Sequence, residues 1–175
     1  MTEPIIIKRL SFQEVIVPAR DGSINSDSLA KPLHMLSVGA EQSWSIQFDQ
    51  LSKLIMRVET SAGVVGIGEF YRDYDWARIE AVSASLLGKD ISKMSLQNLP
   101  IPLCREYDGF ECAIWDAFAK HLGVPLYVLL GGAIRDKVYV GAWSSHRTAD
   151  DAGSVARDYQ RQGYDCIKFK TDLED

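Results

Sequence analysis

The sequence predicts an α+β domain, made of an antiparallel sheet and helices, followed from residue 131 by the start of a repeating βα array. Three observations predict this order. β-favouring segments with alternating apolar residues come first, and helical periodicity follows as far as residue 130. The remaining residues read strand, helix, strand, which is the pattern of a βαβ unit with two parallel strands.

The sheet is predicted from residues 5–17, 54–60 and 64–69. In the second strand Leu54, Met56 and Val58 alternate with Ile55, Arg57 and Glu59, and residues 61–63 suit a tight hairpin. Gly66 and Gly68 indicate either a close approach of another backbone or a β-bulge. Their G-x-x-G-x-G pattern lies on a hairpin and does not open a helix, so it is not typical of a nucleotide-binding loop.

Between the first two strands lies a long loop, residues 19–49, which is polar at its start and carries aromatic residues further on. Ordered loops of this length in compact domains are usually functional. The aromatic content therefore predicts an ordered loop with a functional role.

Two helices are predicted next. Asp75 is expected to cap residues 76–87, with Gly88 as the stop, and Asp108 with Glu111 resembles a capping box. The apolar face of the first helix is predicted from Trp76, Ile79, Val82, Leu86 and Leu87, and that of the second from Phe110, Ile114, Ala117, Phe118 and Leu122. Trp115 and His121 are interpreted as packing and capping residues.

The final βαβ unit is predicted from strands at residues 137–143 and 164–170 around a helix that Thr148 caps and Gly163 ends. Within the second strand, Lys168 and Lys170 are two residues apart and therefore point to one face. Adjacent ammonium groups lower each other's pKa, so a lysine placed this way can act as a neutral base. The alternative is a solvated lysine face on an edge strand.

Composition and charge argue against some classes of function. Hydrophobic residues make up 46% and charged residues 25% of the 175 residues, and the net charge is −5. Basic residues do not cluster, so nucleic acid is not an expected partner, and no apolar run approaches a membrane span. Three cysteines without framework spacing are expected to act as small apolar residues, and a cytoplasmic location is expected.

Several runs together resemble the mandelate racemase/muconate lactonizing enzyme group of the enolase superfamily. They are A-I-W-D-A at residues 113–117 with G-V-P-L-Y-V-L-L-G-G at 123–132, V-G-I-G-E at 65–69, L-L-G-K-D at 86–90, and K-F-K at 168–170. The order and spacing match along nearly the whole chain. The resemblance implies a capping domain over residues 1–130 and, over residues 131–175, the first βαβ unit of a truncated (β/α)8 barrel.

The resemblance also implies a mechanism, in which a base removes the proton next to a carboxylate and Mg²⁺ stabilises the resulting enediolate. Lys170 would be the base, and Lys168 would stabilise the carboxylate and lower the pKa of Lys170. Asn25, His34 and Trp44 in the capping loops would contact the substrate. The metal ligands are expected beyond residue 175, because the acidic residues that follow the K-x-K do not match the ligand positions.

The expected function of the full-length protein is dehydration of an acid sugar or another hydroxy acid, in a homo-oligomer. A racemase, epimerase or cycloisomerase of the same group remains an alternative, because these reactions share the enolisation step. A further alternative is that the 175-residue chain acts only as a non-catalytic folding or interaction module.

Overall fold

The structure is a computed structural model that describes residues 3–18, 31–32, 46–47, 50–71, 73–145 and 147–170. The chain divides into two compact units, Met1–Val15 with Ser52–Ile134, and Ile16–Leu51 with Arg135–Asp175. Its elements in chain order are β1 (Ile7–Pro18), β2 (Lys31–Pro32), β3 (Ile46–Gln47), β4 (Gln50–Thr60), β5 (Val65–Phe70), α1 (Trp76–Leu86), a 3₁₀ turn (Ile91–Lys93), α2 (Tyr107–Leu122), α3 (Leu126–Leu129), β6 (Ala142–Ser144), α4 (Ala149–Arg161) and β7 (Ile167–Phe169).

The predicted hairpin is confirmed. β1, β4 and β5 form one sheet in that order, and β4 and β5 are antiparallel, with Glu59 opposite Val65. Gly63 lies in the turn with φ of 74°, a left-handed conformation that glycine adopts without strain. The alternation in β4 places Leu54, Met56 and Val58 in the core, as predicted.

Within the predicted long loop, the structure describes two short strands. β2 and β3 are parallel, and Lys31 pairs with Ile46 and Pro32 with Gln47. The other residues of this loop lie outside the described part of the chain.

Helix α1 begins and ends close to the predicted positions. The carboxylate of Asp75 accepts a hydrogen bond from the backbone N–H of Arg78 at 3.2 Å, and Gly88 follows the helix with φ of 76°. Ile79, Val82 and Leu86 are buried. Trp76 and Leu87 were predicted on the same face, but both are largely exposed, because they lie at the two ends of the helix.

The predicted capping box at Asp108 is wrong. Helix α2 begins at Tyr107, and Glu106 occupies the N-cap position without a side-chain cap. A turn from Cys104 leads directly into the helix, so Glu106 has helical dihedral angles and not the extended ones of a capping side chain. Asp108 lies in the first turn instead, where a negative charge suits the helix dipole.

The carboxylate of Glu106 has another role. Its side chain is 1% exposed and accepts hydrogen bonds from the backbone N–H of Asp75 at 2.8 Å and from the Arg78 guanidinium at 3.5 Å. The residue that precedes α2 therefore holds the beginning of α1. A buried carboxylate needs such partners, since an unpaired buried charge is strongly unfavourable.

Helix α2 lies directly on β5, so of the two alternatives for Gly66 and Gly68 the close approach of another backbone is confirmed. A Cβ atom on Gly66 would come within 2.0 Å of the carbonyl oxygen of Ala113, and one on Gly68 within 2.0 Å of that of Gly109. The rings of Phe70 in β5 and Phe110 in α2 also pack edge to face, with 5.1 Å between their centroids. The glycines therefore serve helix packing, in agreement with the rejection of a nucleotide-binding loop.

The predicted βαβ unit is confirmed in order and direction, with shorter strands than predicted. β6 and β7 are parallel and pair over three residues each. Residues 137–141, predicted as strand, are irregular, and so are residues 164–166. A strand needs a hydrogen-bonded partner, and within the described residues the ladder between β6 and β7 offers only three pairs.

Candidate functional site

The candidate site lies on the parallel pair β6–β7, which α4 connects. The Thr148 hydroxyl accepts a hydrogen bond from the backbone N–H of Asp151 at 3.3 Å, as predicted, and starts α4. Gly163, with φ of 92°, ends the helix and lets the chain turn back toward β7. Because the two strands are parallel, their carboxyl ends lie at one edge of this sheet.

Lys168 and Lys170 occupy that edge. Lys168 lies within β7, and the backbone N–H of Lys170 donates a hydrogen bond to the carbonyl oxygen of Ser144 at 3.1 Å, which continues the ladder by one residue. Both lysines are exposed. Ile167, which precedes Lys168, and Phe169, which lies between the two lysines, are half-buried. This alternation places the two lysine side chains on one face of the sheet.

A residue that sequence reasoning missed lies beside them. Trp143 of β6 is in register with Lys168 of β7, so both side chains point to the same face of the sheet. Trp143 is 46% exposed, although its neighbours Ala142 and Ser144 are 6% and 0% exposed. The alternation in residues 142–144 was a usable signal, but only the register reveals which β7 residue Trp143 meets.

Buried serines follow Trp143. Ser144 and Ser145 are 0% and 5% exposed, and the Ser144 hydroxyl accepts a hydrogen bond from the Nε–H of Arg147 at 2.7 Å. A guanidinium is thereby fixed at the carboxyl end of β6, close in sequence to the start of α4. Ser144 points to the face of the sheet opposite to Trp143 and the lysines, so this guanidinium is held apart from the two ammonium groups.

The predicted capping-loop contacts cannot be placed beside this edge, because Asn25, His34 and Trp44 all lie outside the described residues. The same holds for Asp172, Glu174 and Asp175. Among the residues that the structure describes, no three His, Cys, Asp or Glu side chains come together in a way that could hold a metal ion. The described residues therefore do not fit a divalent metal site.

The first unit carries a groove whose lining is mostly apolar. This groove of about 440 Å³ is lined by Leu96, Gln97, Glu111, Cys112, Trp115, Leu126 and Leu130. Cys112 is exposed at the groove. The sequence predicted a buried, small apolar role for it, and this prediction is wrong. Cys166 is also exposed, so the same correction applies there. Partial desolvation raises the pKa of the Cys112 thiol, and the carboxylates of Glu111 and Asp108 raise it further. A thiol with a raised pKa is not an activated nucleophile.

In the described parts of the chain, no helix combines the length and the apolar character that crossing a membrane requires.

Comparison with known proteins relates this fold to one family. The family model described as "Mandelate racemase / muconate lactonizing enzyme, N-terminal domain" matches residues 42–131. A D-xylonate dehydratase from Haloferax volcanii is 34% identical over 139 residues, which is 69% of this chain and 33% of that protein. A D-galactonate dehydratase from Xanthomonas euvesicatoria is 31% identical over 133 residues, covering 66% of this chain and 34% of the other. The chain spans about a third of the length of these relatives.

Solved structures share the fold at lower identity. A mandelate racemase/muconate lactonizing protein from Herpetosiphon aurantiacus has a TM-score of 0.68 at 19% identity, and the match covers 97% of this chain and 45% of that one. An enolase from Pseudomonas fluorescens with bound magnesium, potassium and tartrate has a TM-score of 0.65 at 22% identity, covering 97% and 46%. At these identities the likeness shows the fold: a capping domain with sheet and helices, followed by the beginning of a barrel.

Proposed function

Because the chain belongs to the mandelate racemase/muconate lactonizing enzyme family of the enolase superfamily, we propose that the whole protein is an acid-sugar dehydratase. It would remove the proton next to a carboxylate and expel a hydroxyl group from the neighbouring carbon. The observation that carries this proposal is the pair of exposed lysines, Lys168 and Lys170, on one face at the carboxyl end of a parallel strand. In (β/α)8 barrels the catalytic groups come from this end of the strands.

The two lysines have different roles in this proposal. Lys170 is the base that takes the proton from the α-carbon, and Lys168 stabilises the carboxylate of the substrate. A lysine accepts a proton only when its amine is neutral. Both side chains are exposed in the described part of the chain.

The domain assignment supports the same placement. Residues 1–130 would form the capping domain and residues 131–175 the beginning of the barrel. Asn25, His34 and Trp44 of the capping loops would contact the end of the substrate far from the carboxylate. This part of the proposal rests on the resemblance alone.

Magnesium is part of the proposal for the whole protein. By the family resemblance, the ligands would come from residues beyond 175. One solved structure with this fold contains bound magnesium and tartrate, a small dicarboxylate, which supports both the ion and the substrate class. When bound, a divalent ion supplies charge stabilisation at the carboxylate oxygens.

Location and assembly belong to the same proposal. Cys104, Cys112 and Cys166 are free thiols, which suits the reducing cytoplasm. A homo-oligomer is proposed for the whole protein.

The test is turnover by the whole protein, incubated with Mg²⁺ and with D-xylonate or D-galactonate, the substrates in the names of its relatives. Formation of a 2-keto-3-deoxy acid supports the proposal, and Lys170→Ala is expected to lower kcat by at least about 10³-fold. Exchange of the α-proton in D₂O without loss of water would support a racemase or epimerase instead. Activity that survives Lys170→Ala would contradict the role of this lysine.

A further inference from the structure

The position of Trp143 carries an inference beyond the roles of the two lysines. Its strand partner is Lys168, and parallel strands lie about 4.8 Å apart, so the two side chains are neighbours on one face. Trp143 is 46% exposed between two buried residues, Ala142 and Ser144. A large aromatic side chain is thus presented to the same side as Lys168 and Lys170.

This face of the sheet combines two amino groups with an aromatic ring. The Lys168 ammonium group binds the carboxylate and the Lys170 amine faces the α-carbon, but neither gives a surface for the rest of the carbon chain. The indole ring offers a flat apolar surface for C–H groups, and its N–H group can donate a hydrogen bond to a hydroxyl group. Small-molecule sites commonly combine aromatic walls with a few charged groups in this way.

We propose that Trp143 is the specificity-determining wall of this site and selects carboxylates with a long polyhydroxylated carbon chain. The lysines hold the carboxylate and the α-carbon, while the chain from the β-carbon onward lies along the indole ring. This inference rests on the proposed function, since it takes the two lysines as the carboxylate site.

A purely structural role for Trp143 makes a different prediction. A tryptophan that only filled the interior of the barrel would, on removal, weaken the whole site and lower the affinity for every carboxylate equally. A wall along the carbon chain affects long acids and leaves short ones nearly unchanged. The dependence on ligand length therefore separates the two roles.

The experiment measures the affinity of the whole protein for a six-carbon polyhydroxy acid, D-gluconate, and for a three-carbon hydroxy acid, L-lactate, by isothermal titration with Mg²⁺ present. Trp143→Ala is expected to weaken D-gluconate binding about tenfold or more and L-lactate binding less than about twofold. Trp143→Phe keeps an aromatic surface and is expected to stay within about threefold for both acids.

The matched control is Trp76→Ala, because Trp76 is 44% exposed and lies in the other compact unit. It is expected to leave the ratio of the two affinities unchanged. Equal weakening of both acids by Trp143→Ala, an unchanged affinity for D-gluconate, or a wild-type protein that binds neither acid would each overturn the role of Trp143. Lys168→Met tests the proposed function separately: loss of both acids supports the lysine site whatever Trp143 does, and retention of both contradicts it.

Discussion

The carboxylate of Asp116 in α2 accepts a hydrogen bond from the backbone N–H of Ile67 in β5, with 2.8 Å between Oδ2 and N. The same oxygen pairs with the Lys120 ammonium at 2.7 Å, and Lys120 donates to the carbonyl oxygen of Val65 at 3.0 Å. β5 is an edge strand of its sheet, so these backbone groups would otherwise lack a protein partner. The ion pair on the helix thus closes the exposed edge of the strand.

This arrangement predicts that Asp116→Ala lowers the free energy of unfolding by about 1–2 kcal/mol, because it removes a charge-assisted hydrogen bond at a partly exposed site. Asp116→Asn keeps an oxygen acceptor and should lose less than half of that. Denaturant unfolding of the three proteins measures the difference. Equal losses for the Ala and Asn variants would mean that the charge, and not the bond to Ile67, carries the effect.

The contact between β5 and α2 predicts a larger effect at Gly68. A methyl group there would meet the carbonyl oxygen of Gly109 at 2.0 Å, so the helix backbone must move. Gly68→Ala is expected to destabilise the protein by about 3 kcal/mol or more, as overpacking against backbone does. Thermal unfolding measures this change.

Gly63→Ala is the matched control for Gly68. Its added methyl group would meet no atom within 4 Å, and only the positive φ of 74° opposes the substitution. Gly63→Ala should lower the free energy of unfolding by about 1 kcal/mol. If both variants lost the same free energy, steric exclusion by α2 would not be the reason for the glycine in β5.

Local signals predicted much of this fold. The hairpin turn at Gly63, the cap of α1 at Asp75 and the cap of α4 at Thr148 each depend on residues within a few positions, and all three were predicted correctly. The capping box at Asp108 failed because a turn from Cys104 starts the helix at Tyr107, before Asp108. The role of Glu106 could not be predicted either. Glu106 bonds to the backbone of Asp75, 31 residues away, and the local pattern contains no trace of that contact.

The candidate site shows the same limit. The spacing of Lys168 and Lys170 fixed their common face, since that follows from strand geometry alone. Trp143 could not be placed from the sequence, because its neighbour depends on the register across the βαβ crossover. Strand lengths were overpredicted for a related reason: β-favouring residues such as Val138 and Val140 form a strand only where a partner strand is present.

Asp90 predicts a pH dependence of stability. The hydroxyl of Ser92 donates a hydrogen bond to the Asp90 carboxylate at 2.8 Å and lowers the pKa of that carboxyl group. The backbone N–H groups of Ile5 and Ser92 also donate to it and lower the pKa further, whereas partial burial raises it. A lowered pKa in the folded state stabilises the fold above the unfolded value of about 3.9, and this stabilisation is lost as pH falls through the folded value.

The consequence is that wild type and Asp90→Asn should differ in Tm at pH 6, and that the difference should shrink only as pH falls below the unfolded value of about 3.9 and through the lower folded value. Measuring the difference between the two proteins cancels the contributions of the other carboxylates. Ser92→Ala removes the principal cause of the pKa shift and should reduce the difference in the same direction. A Tm difference that is constant from pH 7 to pH 2 would contradict the role of the carboxylate charge.

An exposed apolar segment of the second unit, residues 138–140, predicts self-association of the 175-residue chain. Val138, Tyr139 and Val140 are 71%, 96% and 69% exposed, and clustered exposed apolar groups promote association. A double substitution, Val138→Lys with Tyr139→Glu, should shift the chain toward a monomer of 19.5 kDa in light scattering. Leu103→Lys, at a residue 87% exposed in the first unit, is the control and should leave the association unchanged. A wild-type chain that is monomeric at the highest concentration measured would contradict the prediction. If both variants reduced the association equally, exposed apolar groups in general, and not this segment, would be its cause.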